Sequence, residues 1–321
     1  MKSATARLAP KLPNPNADHY RLEGSERPMP RTTAVIDRGI GKPFLTKWAA
    51  KLERTQMLAE LNDVLGEYLD ESRASEVLAA FEARLESDPY CEVTKRAAGD
   101  FGTAAHALVE EYLRARLEEG SGRTTGVVEA TNAVRIAADA APEESPLVER
   151  AARLAIEWFE AVEFEPDPRG IEERLWSEDP QLWSAGTADA FGTANFAKLT
   201  AHARWNRPPT GKTGADGADA NLRVPLLIDL KTSKSIGVSH KVQAAAYLTY
   251  MVELGRIEAP CISCILRVAK TEQDREPVEA LLIHPEEYAR YGGAFRFIRR
   301  LYNFQTQEES LERRHWREKR G

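Results

Sequence analysis

A chain of 321 residues, 42% hydrophobic and 29% charged, has the composition of a globular protein and the length for one large domain or two modest ones. Its net charge of −6 excludes a polycation, so any nucleic acid has to be gripped through a local basic groove. Three cysteines argue against a disulfide scaffold, no apolar run has membrane-spanning length, and MKSATARLAPKLPNPNADHY holds no secretion-type apolar segment; a cytoplasmic setting without a membrane partner is expected.

Residues 1–43 are rich in proline and polar residues without a sustained period, and read as an extended arm. From Phe44, FLTKWAAKLERTQMLAELNDVLGEYL repeats apolar residues every three or four positions, as a helix does. Further helices are expected at 74–86, at 95–120 with Gly120 as the stop, at 127–140 and at 145–163. The texture changes at Pro166. IEERLWS (171–177), SAGTADAFG (184–192) and VPLLIDLK (224–231) are short runs bounded by turn residues and predict strands, with a breaker-filled insertion at 206–223 between the last two. A helix over 239–254, strands CISCILRVA and VEALLIH, and a closing helix from Pro285 to about 305 follow, with a basic tail at 306–321. The fold class expected is therefore α/β (α+β): a helical N-terminal half, 44–163, leading into a sheet core at 166–285 whose central mixed β-sheet is flanked by helices.

Four groups of residues within this layout carry chemistry. Asp229 and Lys231 stand two apart on a strand and so share a face, with Leu230 between them. A carboxylate can hold a hard cation and a nearby ammonium can stabilise developing negative charge, although the short, common D-x-K taken alone reads more readily as a strand-end ion pair or two solvated charges. Asp189 interrupts the small apolar strand AGTADAFG, after Gly186, whose freedom suits a tight turn; if this strand pairs with 224–231, two carboxylates converge. Gly102, His106 and Glu110 fall on one helical face, where His106 is either a hydrogen-bonded core imidazole or a ligand in a mixed N/O site. Gln243 and Tyr247, one turn apart in QAAAY, suit either helix packing or contact with a phosphate and a base.

Taken in order, Gly102-x-x-x-His106, Gly186-x-x-Asp189, Asp229-x-Lys231 and Gln243-x-x-x-Tyr247 resemble the PD-(D/E)XK nuclease superfamily, and within it the RecB-like branch that includes many phage-encoded exonucleases. The resemblance covers about residues 95–285. It implies a restriction-endonuclease-like core, here within a single domain over 44–305, and a metal-dependent DNA exonuclease. His106, Asp189, Asp229 and the Leu230 carbonyl would hold Mg²⁺ or Mn²⁺. Asp189, Asp229 and Lys231 would be the catalytic set, and Gln243, Tyr247 and Lys234 would meet DNA. Glu172 or its neighbour Glu173 occupies the place where many relatives carry an acid before the metal strand. The resemblance also implies a role in phage or bacterial recombination or repair, DNA as partner together with a phage single-strand annealing or recombination protein, and leaves an oligomer open. Two other readings share the fold: a catalytically silent DNA-binding or assembly protein, and an endonuclease.

Some relatives carry a four-cysteine iron–sulfur cluster. With only Cys91, Cys261 and Cys264, no cluster is expected, and the last two read as core packing inside a strand. TGKTG (210–214) lacks the leading glycine and following helix of a phosphate-binding loop, so no ATP site is expected. The stretch FRFIRRLYNF and the tail RRHWREKR interleave arginines with aromatics and fit either a nucleic-acid surface or a solvated helix.

Overall fold

The periodic apolar runs of the second half assemble into one six-stranded sheet. The structure, a computed structural model, describes residues 8–9, 19–22, 25, 27–40, 43–67, 90–120, 145–207, 221–274 and 276–320. The helices expected at 74–86 and 127–140, and the TGKTG motif, lie outside the described residues.

In chain order the elements are strands β1 (Leu8–Ala9), β2 (His19–Leu22) and β3 (Pro28–Pro30), helices α1 (Thr32–Gly39), α2 (Pro43–Glu67), α3 (Tyr90–Gly120) and α4 (Ser145–Ala161), and strands β4 (Glu165–Ser177) and β5 (Ser184–Asn195). A short helix α5 (Phe196–Ala201) and strand β6 (Arg204–Trp205) precede β7 (Arg223–Lys231), helix α6 (Val238–Glu253), β8 (Ile262–Val268) and β9 (Val278–Ile283). A 3-10 turn at Pro285–Glu287 then leads into the long helix α7 (Tyr288–Arg320).

The sheet order is β4-β5-β7-β8-β9-β6, with β7 parallel to β8 and β6 parallel to β9, the other pairs being antiparallel. Parallel neighbours need a crossover, and α6 supplies it between β7 and β8. Helices cover both faces. Ala105, Leu108, Val109, Tyr112 and Leu113 form the buried stripe of α3, at the three-and-four spacing of an amphipathic helix. Together with Phe159 of α4, α3 lines one face over Ala190, Ile228 and Leu230. On the other face α6 is buried from Val242 to Met251 in one core cluster with Leu227, Leu175 and Phe295.

The segment expected to be an extended arm contains β1, β2 and β3, which form a three-stranded antiparallel sheet, and then helix α1. Its attachment is chemical as well as apolar. The Tyr250 hydroxyl lies 3.0 Å from Thr32 Oγ1 and 2.7 Å from Ser184 Oγ, and Thr32 Oγ1 donates to the Ala185 carbonyl at 3.0 Å. All three side chains are buried, so each bond satisfies a group that would otherwise lose its water without compensation. At its other end α1 meets α7: Arg38 pairs with Glu309 and lies over the Tyr302 ring. The closing helix runs on through the segment expected to be a basic tail, to Arg320.

Residues 41–103 form a second compact unit. Within it the Glu53 carboxylate accepts the backbone N–H groups of Tyr90 and Cys91 at 3.1 and 2.6 Å, supplying acceptors for the otherwise unpaired first turn of α3.

Candidate metal centre

The expected hairpin partner of the Asp189 strand is the one observed. β5 and β7 pair antiparallel from Ala190↔Ile228 to Asn195↔Arg223, so Asp189 and Asp229 flank the last pair at one end of the ladder. The Asp189 Oδ2 accepts the Leu230 N–H at 2.7 Å, so the group of Leu230 engaged here is its amide donor. From α3, His106 Nδ1 comes within 3.4 Å of Asp189 Oδ1.

The adjacency of Glu172 and Glu173 on β4 is resolved by strand alternation. Glu173 turns to Arg256, which donates to both its oxygens at 2.6 and 3.0 Å. Glu172 turns to the other face, where one ligand atom each from His106, Glu172 and Asp189 lies within 4.8 Å of the others. Such a group could hold a metal ion, whose bonds to nitrogen and oxygen span roughly 2–2.5 Å. Glu172 adopts a left-handed backbone, φ 49°, a conformation that costs a non-glycine residue about 1–3 kcal/mol and collects at functional sites.

Asp229 sits behind this triad, almost fully buried. Its Oδ1 accepts from Lys231 Nζ at 2.7 Å and from Gln243 Nε2 at 3.1 Å, and Gln243 Nε2 also lies 3.1 Å from the Tyr247 hydroxyl. Its Oδ2 is buried without a hydrogen-bond partner among the described residues. A buried carboxylate oxygen left bare is costly, and a proton or a cation is what would relieve it. The mixed set of one imidazole, two carboxylates within reach and this bare oxygen fits a hard or borderline divalent ion.

The nucleic-acid candidates divide. Gln243 and Tyr247 are buried, the first on Asp229 and the second against Gly186, while Lys234 is exposed on the loop after β7. Gly186 makes no turn; it lies inside β5, where a Cβ would come 2.5 Å from the Tyr247 ring. In the arginine-rich stretch of α7, Arg299 is buried and donates to the carbonyls of Leu182 and Trp183, whereas Arg300 is exposed. Cys261 and Cys264 sit in the core, where burial pushes the Cys261 thiol up to about 12 and the Cys264 thiol higher still.

The electrostatics follow the packing. Burial, and then the Asp189 charge, push Glu172 up to about 7. Burial likewise raises Asp229 to about 6 against the opposing pull of Lys231. Burial lowers His106, but the charge and hydrogen bond of Asp189 outweigh it and the net shift is upward. For Asp189 burial is outweighed by His106, Lys231 and the Leu230 N–H, and its carboxyl is held below the usual range.

These directions fix a pH dependence. Between the unfolded carboxylate range, about 4, and their folded values, Glu172 and Asp229 bind more protons in the native state, so they favour folding at low pH and cost stability as pH rises. The contribution of His106, raised on folding, is full below its unfolded value of about 6.5 and is lost as pH rises through the folded one. All three act in the same sense. With chelator present, the contribution of this site should therefore fall from about pH 5 to pH 8; if the group holds Mn²⁺, the extra stabilisation from the added ion should grow over the same range, because cation and protons would compete for the same groups. Thermal unfolding across that range checks this; Glu172→Gln should flatten the metal-free slope, and an Mn²⁺ increment constant with pH would contradict it.

The chain matches no protein-family model, and no curated protein matches it.

Proposed function

We propose that the chain is a divalent-metal-dependent deoxyribonuclease of the PD-(D/E)XK type that works as an exonuclease in phage or bacterial recombination or repair. One observation carries the reading: β4, β5 and α3 bring Glu172, Asp189 and His106 within 4.8 Å of one another, and Asp229 and Lys231 stand on the strand alongside. An ordinary structural ion pair has no need of a helix imidazole, a second acid in a left-handed backbone and a bare buried oxygen.

Bound to this set, Mg²⁺ or Mn²⁺ would draw charge from the scissile phosphate and make water a stronger nucleophile at neutral pH. His106, Glu172 and Asp189 would hold it, and the buried, unpartnered Oδ2 of Asp229 is the further oxygen that the resemblance would add. Lys231, its ammonium fixed at 2.7 Å by Asp229, keeps a positive charge where negative charge develops on the phosphate. Gln243 and Tyr247 position Asp229 from behind. The Gln243 amide donates to its Oδ1 and also to the Tyr247 hydroxyl, which steadies the amide.

Incubation with linear and closed circular duplex DNA, in Mn²⁺, Mg²⁺ or EDTA, tests the proposal. Digestion of the linear form alone, abolished by EDTA, is expected. Cleavage of the circle would make the chain an endonuclease, and cleavage of neither form with either metal would make it a binding protein of the same fold.

A further inference from the structure

Residues of β4 and β5 that share a face come in cross-strand pairs, and these pairs run outward from the metal centre. Glu172 and Asp189 lie between the register pairs Ile171↔Ala190 and Glu173↔Ala188; the next pair on their face is Arg174↔Thr187, and the one after is Trp176↔Ala185. The outermost pair is covered, since Leu22 and Met29 of the N-terminal sheet pack on Ala185 with Trp176 beside them. The middle pair stays open. Arg174 is exposed, and its guanidinium makes no hydrogen bond or ion pair with any described residue. Beside it, Thr187 Oγ1 lies 3.3 Å from the hydroxyl of the half-buried Tyr20.

A bare guanidinium and a phenol thus stand two strand residues, roughly 7 Å, from the Glu172–Asp189 carboxylates. Glu172 and Asp189 line this cleft, with Glu110 beside them paired to Arg114, and carboxylates repel a polyanion unless positive charge is placed along its path. The ammonium of Lys231, held on Asp229, is already assigned to the scissile phosphate. Arg174 is the arginine on the same sheet face whose planar fork remains unmatched, and that fork fits two phosphate oxygens at once. The separation is about one step of an extended sugar–phosphate chain.

We propose that Arg174, with Tyr20 on Thr187 as the adjoining wall, forms a subsite for the phosphate next to the scissile one. Arg174 is on this view a positioning residue: it sets which phosphate reaches the metal centre. The inference rests on the nuclease reading and deepens it, and the experiment separates the two.

Steady-state hydrolysis of a labelled linear duplex with Mn²⁺ is measured against salt for the wild type, Arg174→Ala and Arg174→Lys, with Arg153→Ala on the far surface of α4 as control. Arg174→Ala should raise KM about tenfold with kcat within about twofold, and should lower the log–log salt slope by about one, the signature of one lost phosphate contact. Arg174→Lys should recover the salt slope, and Arg153→Ala should change neither. Wild-type KM and slope in Arg174→Ala would overturn the subsite and leave the nuclease reading standing, as would a fall in kcat together with the unfolding midpoint, which marks a structural role. Absence of hydrolysis by the wild type with either metal would overturn the nuclease reading and the subsite with it.

Discussion

Lys231→Gln and Asp189→Asn should each lower DNA hydrolysis by about a hundredfold to a thousandfold or more while the protein stays folded, the range seen when one preorganised charge or ligand is removed from a hydrolytic site. Both substitutions are chosen to preserve geometry. The amide of Gln at 231 can still donate toward Asp229 Oδ1, so the almost fully buried carboxylate is not left alone. The amide oxygen of Asn at 189 can still accept the Leu230 N–H. On the proposed reading, what each removes is charge: the ammonium that would face the phosphate in one case, and the charge of a residue that would hold the metal in the other. Asp189→Asn should in addition weaken the Mn²⁺-induced rise in unfolding temperature, whereas Lys231→Gln should leave or increase it, because one repelling cation is gone. Digestion at the wild-type rate by either variant, measured over a range of Mn²⁺ concentrations, would remove the proposed roles.

Gly186→Val should cost about 1–3 kcal/mol of stability, the usual range for overpacking a filled core. A Cβ at this position would lie 2.5 Å from Tyr247 Cε1 and 2.8 Å from its hydroxyl oxygen. The ring has little room to retreat, being 3% exposed and packed near Tyr250 at a centroid distance of 6.3 Å. The damage should also reach the site, because Tyr247 steadies Gln243 and Gln243 holds Asp229. A lower denaturant midpoint together with lower activity is the expected pair of results. Gly293→Ala provides the opposite sign: nothing lies within 4 Å of a Cβ there, the residue is exposed inside α7, and alanine should stabilise the helix by about 0.5–1 kcal/mol. Equal midpoints for Gly186→Val and the wild type would mean that the strand and helix can separate without loss.

Which parts of the molecule could be read from the chain follows from where their information lies. Strands β5, β7 and β8 and helices α3, α4 and α6 announce themselves by apolar period, because each buries one face or both; α2 shows a period in the sequence, yet none of its described side chains is buried. The convergence of Asp189 on Asp229 was legible for the same reason: hairpin neighbours separated by an insertion pair antiparallel. The described elements of residues 8–39 are too short to carry a period. β3 is Pro-Met-Pro, and α1 is eight residues long, so both depend on distant partners such as Ala185, Tyr250 and Tyr302. Glu172 and Glu173 could not be told apart, since adjacent strand residues point oppositely and only the start of the ladder decides which one faces α3. Gly186 carries no local mark of its use. Its need comes from a tyrosine some sixty positions later, which approaches from another element.

The clasp of Thr32 by Tyr250, and of Arg38 by Glu309, sets an order of events during synthesis. Residues 32–39 meet Tyr250 and Glu309 only after the crossover helix α6 and helix α7 have been synthesised. Before that they have only the Ala185 side of β5 to settle on, and nascent chains halted before residue 250 should leave residues 27–40 more open to proteases.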